Sequence, residues 1–292
     1  MDSLCDLFGK TRQAYYKNKK SAFKESVVED LIITLVMRVR GRQKRLGGRK
    51  LLGLISPLLP YGEEIGRDAF FDLLRRNGML VRKRRLRAFT TDSFHWLHKY
   101  PNLIKEFIPQ KPHQLWVSDI TYIRTAAGFV YLYLITDAYS RKIVGWYLSE
   151  TMEAQNALEA LYMALSQLPA STTGIIHHSD RGIQYCSSKY VSCLQKHGVK
   201  ISMTEHGDPY ENAIAERVNG ILKTEWLYDM TLSNVADAKH AVKEIINIYN
   251  AERPHSSIQM LTPDQAHQTT GALKRLWKTY KRRKRNEAWV EV

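Results

Sequence analysis

Residues 114–148 read QLWVSDITYIRTAAGFVYLYLITDAYSRKIVGWYL. Three segments of this stretch, 115–123, 129–136 and 142–148, are dense in β-branched and aromatic residues, the side chains that suit a pleated, half-buried surface. The stretches between them, 125–128 and 138–141, are short enough for hairpin connections, so a three-stranded meander is predicted. One residue is costly there. Asp119 lies inside the first segment among Trp116, Val117, Ile120 and Tyr122. An ionised carboxylate in such a strand needs compensation, and a metal ion is the natural partner.

Downstream, the pattern alternates. A helix is expected over 153–167, closed by Pro169, then a short buried strand over 174–178 ending at Ser179-Asp180. A helix over 188–197 closed by Gly198, and a fifth strand over 199–203, follow. The next helix is expected to open near Asp208-Pro209, an N-cap followed by proline at the first helical position. Along it Ile214, Val218, Ile221 and Leu222 make an apolar face, while Asn212, Glu216, Asn219 and Lys223 line another. This order implies an α/β fold, a five-stranded mixed sheet with flanking helices of the ribonuclease H-like kind. Asp180 then falls just past a strand end, where sheet folds place their chemistry.

Upstream the chain reads as helical and basic. Segments 4–8 and 11–17 resemble a helix, a turn at Gly9 and a second helix starting near Lys10 or Thr11. A longer helix is expected over 23–39, and a further pair over 49–59 and 68–76, the last capped by Gly78. The run Arg82-Lys-Arg-Arg-Leu-Arg87 closes the region. Residues 88–113, with Pro101, Pro109 and Pro112, lack regular periodicity. The expected division is a helical, helix-turn-helix-type DNA-binding region at 1–90, a linker at 91–113, a catalytic core at 114–232, and a C-terminal helical segment with a basic tail at 233–292.

Charge supports that division. The chain of 292 residues has a formal net charge of +15. Residues 1–90 hold 21 Lys+Arg against 9 Asp+Glu and 271–292 hold 8 against 2, whereas 91–270 hold 15 against 18. Basic ends around a carboxylate-rich centre favour a polyanionic partner and argue against a uniformly basic coat protein. No secretory leader is visible at the N-terminus, and the longest apolar runs fall short of the ~20 residues of a membrane span. Three sparse cysteines fit a reducing cytoplasm. Cys186 and Cys193, with six residues between them, do not have zinc-ligand spacing together with His95 and His98. His177 and His178 at a strand end are expected to be structural rather than ligands, and Asp137 to cap a turn.

Asp119, Asp180 and Glu216 together form a stronger signal than each alone. Two carboxylates from adjacent strands and one from a packed helix can hold two magnesium ions ~3.5–4 Å apart, with Lys223 on a nearby phosphate. The sequence resembles bacterial insertion-sequence transposases of the IS3 family, relatives of retroviral integrases. The resemblance rests on Trp116-Val-Ser-Asp-Ile-Thr121, Thr136-Asp-Ala-Tyr-Ser-Arg-Lys-Ile-Val-Gly-Trp146, His178-Ser-Asp-Arg-Gly-Ile-Gln-Tyr185, Ser202-Met-Thr-Glu-His-Gly207, Glu211-Asn-Ala-Ile-Ala-Glu-Arg217 with Lys223, and Tyr249-Asn-Ala-Glu-Arg-Pro-His255 with Thr262-Pro263. Asp180 and Glu216 enclose 35 residues, the spacing that names the DD(35)E group.

The resemblance implies two Mg2+ (or Mn2+) ions on Asp119, Asp180 and Glu216. It implies cleavage that frees 3′ hydroxyls at the element's ends and attack of those hydroxyls on target DNA. Implied partners are double-stranded DNA, further copies of the chain on that DNA, and a protein from an upstream reading frame; no membrane is implied, and the location is the bacterial cytoplasm at the nucleoid. Expected DNA contacts are Lys223, Arg181, Arg253, Arg82, Arg84 and Arg85. Position 211 is Glu where the family more often has Asp, and its spacing from Asp180 leaves Glu216 as the third acid. The competing readings are an inactive DNA-binding regulator and a ribonuclease H-type nuclease.

Overall fold

The expected meander forms through β1 (Leu115–Thr125), β2 (Gly128–Asp137) and β3 (Ile143–Ser149), paired antiparallel. The computed structural model describes residues 9, 11–81, 96–205, 211–274 and 276. β1 and β2 are joined through Ala126 and Ala127, with Gly128 at φ 134 supplying a conformation that L side chains avoid. At the second turn Asp137 Oδ1 accepts from both the backbone N and Oγ of Ser140, each at 2.8 Å, and Oδ2 accepts from His113 N. The buried carboxylate thus caps the turn, as expected.

β4 (Ile176–Ser179) joins β1 in parallel, and β5 (Lys200–Met203) joins β4 in parallel, giving the order β3-β2-β1-β4-β5. The five-stranded mixed sheet is the expected one. β4 pairs with β1 only at Leu115, Trp116 and Val117, so the rest of that edge of β1 carries no strand partner among the described residues. Ser118 begins this open stretch and Asp119 follows it.

Helices cover both faces. On one, α4 (Ala154–Ser166), the short α5 (Ile183–Cys186) and α6 (Ser188–Lys196) pack over Trp116, Tyr133, Leu161 and Leu194. α4 lies so close to β3 that a Cβ on Gly145 would stand 2.2 Å from the Ala160 carbonyl oxygen. On the other face, α7 (Ala213–Glu225) and α8 (Val235–Ala251) pack over Leu132 and Leu134 through Val218, Leu222, Ile245 and Ile246. Alternation along β1 sends Ser118 towards the first layer and Asp119 towards the second. α9 (Pro263–Ala266) follows, opened by a capping box between Thr262 and Gln265.

Several expectations need correction. α5 was not anticipated. α7 opens at Ala213 with Asn212 as N-cap, later than the expected start; Asp208 and Pro209 lie outside the described residues. The expected break between residues 17 and 23 is absent. α1 runs without interruption over Arg12–Arg42, because no glycine or proline interrupts residues 12–40 and Lys, Gln, Ala and Arg sustain the helix. Thr11 is its N-cap, accepting from Ala14 N at 3.1 Å. The expected segment at 4–8 and the basic run 82–87 lie outside the described residues.

α1 packs with α2 (Gly48–Ile55) and α3 (Arg67–Arg76) around Ile32, Val36, Leu51, Phe70 and Leu74. Ala69 on α3 is exposed, and Gly78 has the positive φ expected of a cap. The C-terminus of α1 meets the sheet domain. Trp226 Nε1 donates to Arg42 O at 2.8 Å, Gln43 Nε2 donates to Glu252 O at 3.3 Å, and Arg42 pairs with Glu252. Residues 96–113 form no helix or strand, yet Leu97 and Tyr100 pack on the first layer and Leu103 N donates to Ser202 Oγ. Among the described residues no helix is long and apolar enough to cross a membrane.

Candidate active site

Asp119 is fixed by its surroundings. Its Oδ1 accepts from Ile120 N at 2.9 Å and its Oδ2 from Asn219 Nδ2 at 2.7 Å. Asn219 lies on α7 one turn beyond Glu216. Burial, then the charge of Asp180, pushes the Asp119 carboxyl up to about 7; Glu216 adds to the rise, and the hydrogen bonds from Asn219 and Ile120 oppose it. Glu216 is exposed on the first turns of α7, and its pKa is raised by partial burial and by Asp180. Three acids far apart in sequence therefore share one electrostatic neighbourhood.

Asp180 follows the end of β4, with Oδ1 accepting from Gly182 N at 3.0 Å. A Cβ on Gly182 would stand 3.0 Å from that same oxygen and 3.2 Å from Gln184 Oε1, so glycine lets the backbone curl around the carboxylate. Gln184 Nε2 in turn donates to Met152 O at 3.0 Å, tying the turn to the start of α4. A second clamp holds the entry of α7: Asn212 Nδ2 donates to Ser118 O at 3.0 Å, next to Asp119.

The donor chemistry fits a divalent cation. Asp180 raises the pKa of both Asp119 and Glu216, and a bound cation would reverse that cost. Among the described residues, however, no three His, Cys, Asp or Glu side chains stand close enough to enclose a metal ion as they are. The acids share a field without forming a closed cage.

Lys223 lies two turns beyond Glu216 on α7. Its Nζ stands 4.2 Å from the centre of the Tyr122 ring; burial lowers its pKa and Asp119 opposes the shift. Arg181 is partly exposed beside Asp180. Glu211 is engaged elsewhere: it accepts from Glu205 N at 2.7 Å and from Asn102 Nδ2 at 3.3 Å.

His177 and His178 serve packing. His177 Nε2 lies 2.7 Å from Ser118 Oγ and 2.9 Å from Tyr190 Oη, and burial pushes its pKa down to about 3. His178 Nδ1 lies 2.8 Å from Ser202 Oγ, and burial brings its pKa to about 4. Cys186 Sγ stands beside Met203 Sδ at 3.6 Å in the core, and His95 lies outside the described residues.

Arg253 departs from expectation. Instead of facing DNA it is wholly buried, its Nε and Nη2 donating to Glu225 at 2.8 and 2.6 Å and its Nη1 to His255 Nε2 at 2.9 Å. A guanidinium without exposed surface cannot reach a phosphate in this arrangement. Arg82, Arg84 and Arg85 lie outside the described residues. Sequence reasoning did not assign roles to Asn219, Gly182 or Tyr122. Asn219 carried a signal, since it occupies the polar face of α7 together with Glu216 and Lys223.

A family model described as "Integrase core domain" matches residues 109–209, and a second with the same description matches 197–263. Together they cover all five strands, α7 and α8. The chain is 36% identical over 266 residues to "Insertion element IS600 uncharacterized 31 kDa protein" of Shigella sonnei, covering 89% of this chain and 96% of that protein. It is 37% identical over 196 residues to "Transposase InsF for insertion sequence IS3A" of Escherichia coli (strain K12), covering 66% of this chain and 67% of that protein. Among solved structures, the HTLV-2 integrase catalytic core domain in complex with magnesium aligns with a TM-score of 0.44 at 18% identity, covering 55% of this chain and 99% of that one. Because the kinship at better than 30% identity runs from the N-terminal helices through the integrase core, the chain belongs to the IS3-family insertion-sequence transposases.

Proposed function

We propose that this chain is the transposase of an insertion sequence, cutting DNA at the element's ends and joining the freed 3′ ends to target DNA, with Asp119, Asp180 and Glu216 as its metal-holding catalytic acids. The observation that carries the reading is the shared field of these acids, which adds to burial in driving the Asp119 carboxyl up to about 7. Magnesium or manganese bound there would act as a Lewis acid on the phosphodiester and activate the attacking oxygen. The chain's own groups do the rest. Asn219 orients Asp119, the Gly182 backbone orients Asp180, and Lys223 and Arg181 receive phosphate oxygens.

Duplex binding falls to the basic helical region at 1–90, including Arg82, Arg84 and Arg85, and strand transfer to an assembly of several copies on the two ends. The domain division at 91–113 and 232–233 belongs to the same proposal. Purified protein incubated with Mg2+ and DNA bearing the element's ends is expected to yield joined products. Asp180→Asn is expected to abolish joining while retaining DNA binding. Equal joining by that variant would remove the catalytic assignment, and digestion of RNA–DNA hybrids without joining would favour a nuclease.

A further inference from the structure

Beyond the acids, the open edge of β1 carries a feature the proposed chemistry leaves unused. Tyr122 is 40% exposed and Phe129, across the β1–β2 hairpin, is 54% exposed. Their rings meet edge to face, with centroids 5.4 Å apart and planes at 88°. Arg124 is the exposed cross-strand partner of Phe129, and the Lys223 ammonium lies over the Tyr122 ring. Lys223 also feels the charge of Asp119, which ties the patch to the acids electrostatically.

We infer that Tyr122 and Phe129 form a stacking platform for an unpaired nucleobase beside the reacting phosphodiester. This rests on the transposase reading, because it takes the DNA strand to lie across the acids. Two exposed aromatic rings flanked by a lysine and an arginine match the requirements of single-stranded nucleic acid: a π surface for the base and cations for the phosphates on either side. A duplex end must fray for its terminal phosphodiester to reach carboxylates set into a sheet edge, and a freed base needs somewhere to go. The platform supplies that place. Stacking is tolerant of sequence, so it selects an unpaired base over a paired one rather than one base over another.

The test uses the full chain carrying Asp180→Asn, so that DNA is not consumed. One probe is a short duplex with a single-stranded 3′ overhang whose first unpaired base is 2-aminopurine; the other is the blunt duplex of the same sequence. The platform is expected to quench the 2-aminopurine fluorescence on binding and to favour the overhang by roughly tenfold. Tyr122→Ala and Phe129→Ala are each expected to erase that preference and the quenching, while Tyr122→Trp retains both. Phe129 is the deciding position if Tyr122→Ala fails to fold or displaces Lys223.

Unchanged quenching in the Phe129 variant, or equal weakening on both probes, overturns the inference and leaves the transposase reading standing. Binding of both probes without quenching does the same. Failure of the parent protein to bind either probe removes the DNA reading and the platform together.

Discussion

Asn219 donates its amide to Asp119 Oδ2 at 2.7 Å, binding the helix that carries one acid to the strand that carries another. This bond favours the ionised form of a carboxyl that burial and Asp180 have already pushed up to about 7. Without it, the Asp119 pKa rises further and less of the group is ionised at neutral pH. Asn219→Leu is therefore expected to lower Mg2+-dependent end cleavage at pH 7 by roughly ten- to a hundredfold, the equivalent of a hydrogen bond to a charged group. Part of the loss should return as the pH is raised to 8.5. A pH–rate profile with the same midpoint as the unaltered protein would show that the bond does not tune Asp119.

Gly182 has φ −62 and ψ 144, a backbone that any residue adopts, so substitution there carries no conformational strain. What a methyl group meets is Asp180 Oδ1 at 3.0 Å. Gly182→Ala is expected to displace the carboxylate by a few tenths of an ångström and reduce strand joining about tenfold, with the urea midpoint nearly unchanged. Full activity would mean that the Asp180 position tolerates more latitude than two-metal chemistry allows.

Gly145 answers to packing alone. A Cβ there would collide with the Ala160 carbonyl oxygen at 2.2 Å, and neither β3 nor α4 can yield without opening the first layer. Gly145→Ala should cost about 3 kcal/mol or more, read as a lowered urea midpoint or loss of soluble protein.

Arg253 and Glu225 present the cost of burying a pair. Truncating Arg253 to Met leaves Glu225, at the last turn of α7, largely buried without its bidentate partner, a loss of about 3–5 kcal/mol. The double substitution Arg253→Met with Glu225→Leu should recover much of it. Urea unfolding of the two single variants and the double variant measures the coupling; additive losses would show that the two side chains do not support one another.

His177 and His178 set the acid limit of stability. Both are held below their ordinary 6.5, at about 3 and about 4, because burial disfavours the charged ring. The unfolded chain binds these protons more readily, so stability is fully present above pH 6.5 and falls as pH drops from 6.5 towards 4 and 3. The slope approaches about 1.4 kcal/mol per pH unit for each histidine. Urea midpoints at pH 7.5, 6 and 5 should decline in that order, and a flat series would mean that one or both rings can protonate in place.

The sheet was legible because alternation and β-branched density survive in 115–148 without competing signals, and because Gly198 and Pro169 mark helix ends by simple steric rules. That Asp119, Asp180 and Glu216 share one electrostatic neighbourhood was legible from the motifs and spacing that carry them. The continuous α1 was not: 11–17 and 23–39 were read as separate helices, but nothing between them stops a helix that lacks glycine and proline. Arg253 misled for a related reason. An arginine in a basic chain reads as a phosphate contact until its partner is known, and Glu225 lies 28 residues earlier on another helix. Asn219 and Gly182 act through single contacts made in three dimensions, which periodicity does not encode.

The first half of α1 reaches past its own hydrophobic cluster, whose earliest member on this helix is Val28, and leaves Tyr16, Phe23 and Val27 in solvent. Residues 12–27 thus extend about 24 Å beyond that cluster at the α-helical rise, tied back along the way by the ion pair of Lys24 with Glu63. The other end of the same rod is pinned by Trp226, just after the helix that bears Glu216. Torque applied along this rod is therefore delivered at the foot of α7, as a spanner's handle turns the nut at its far end.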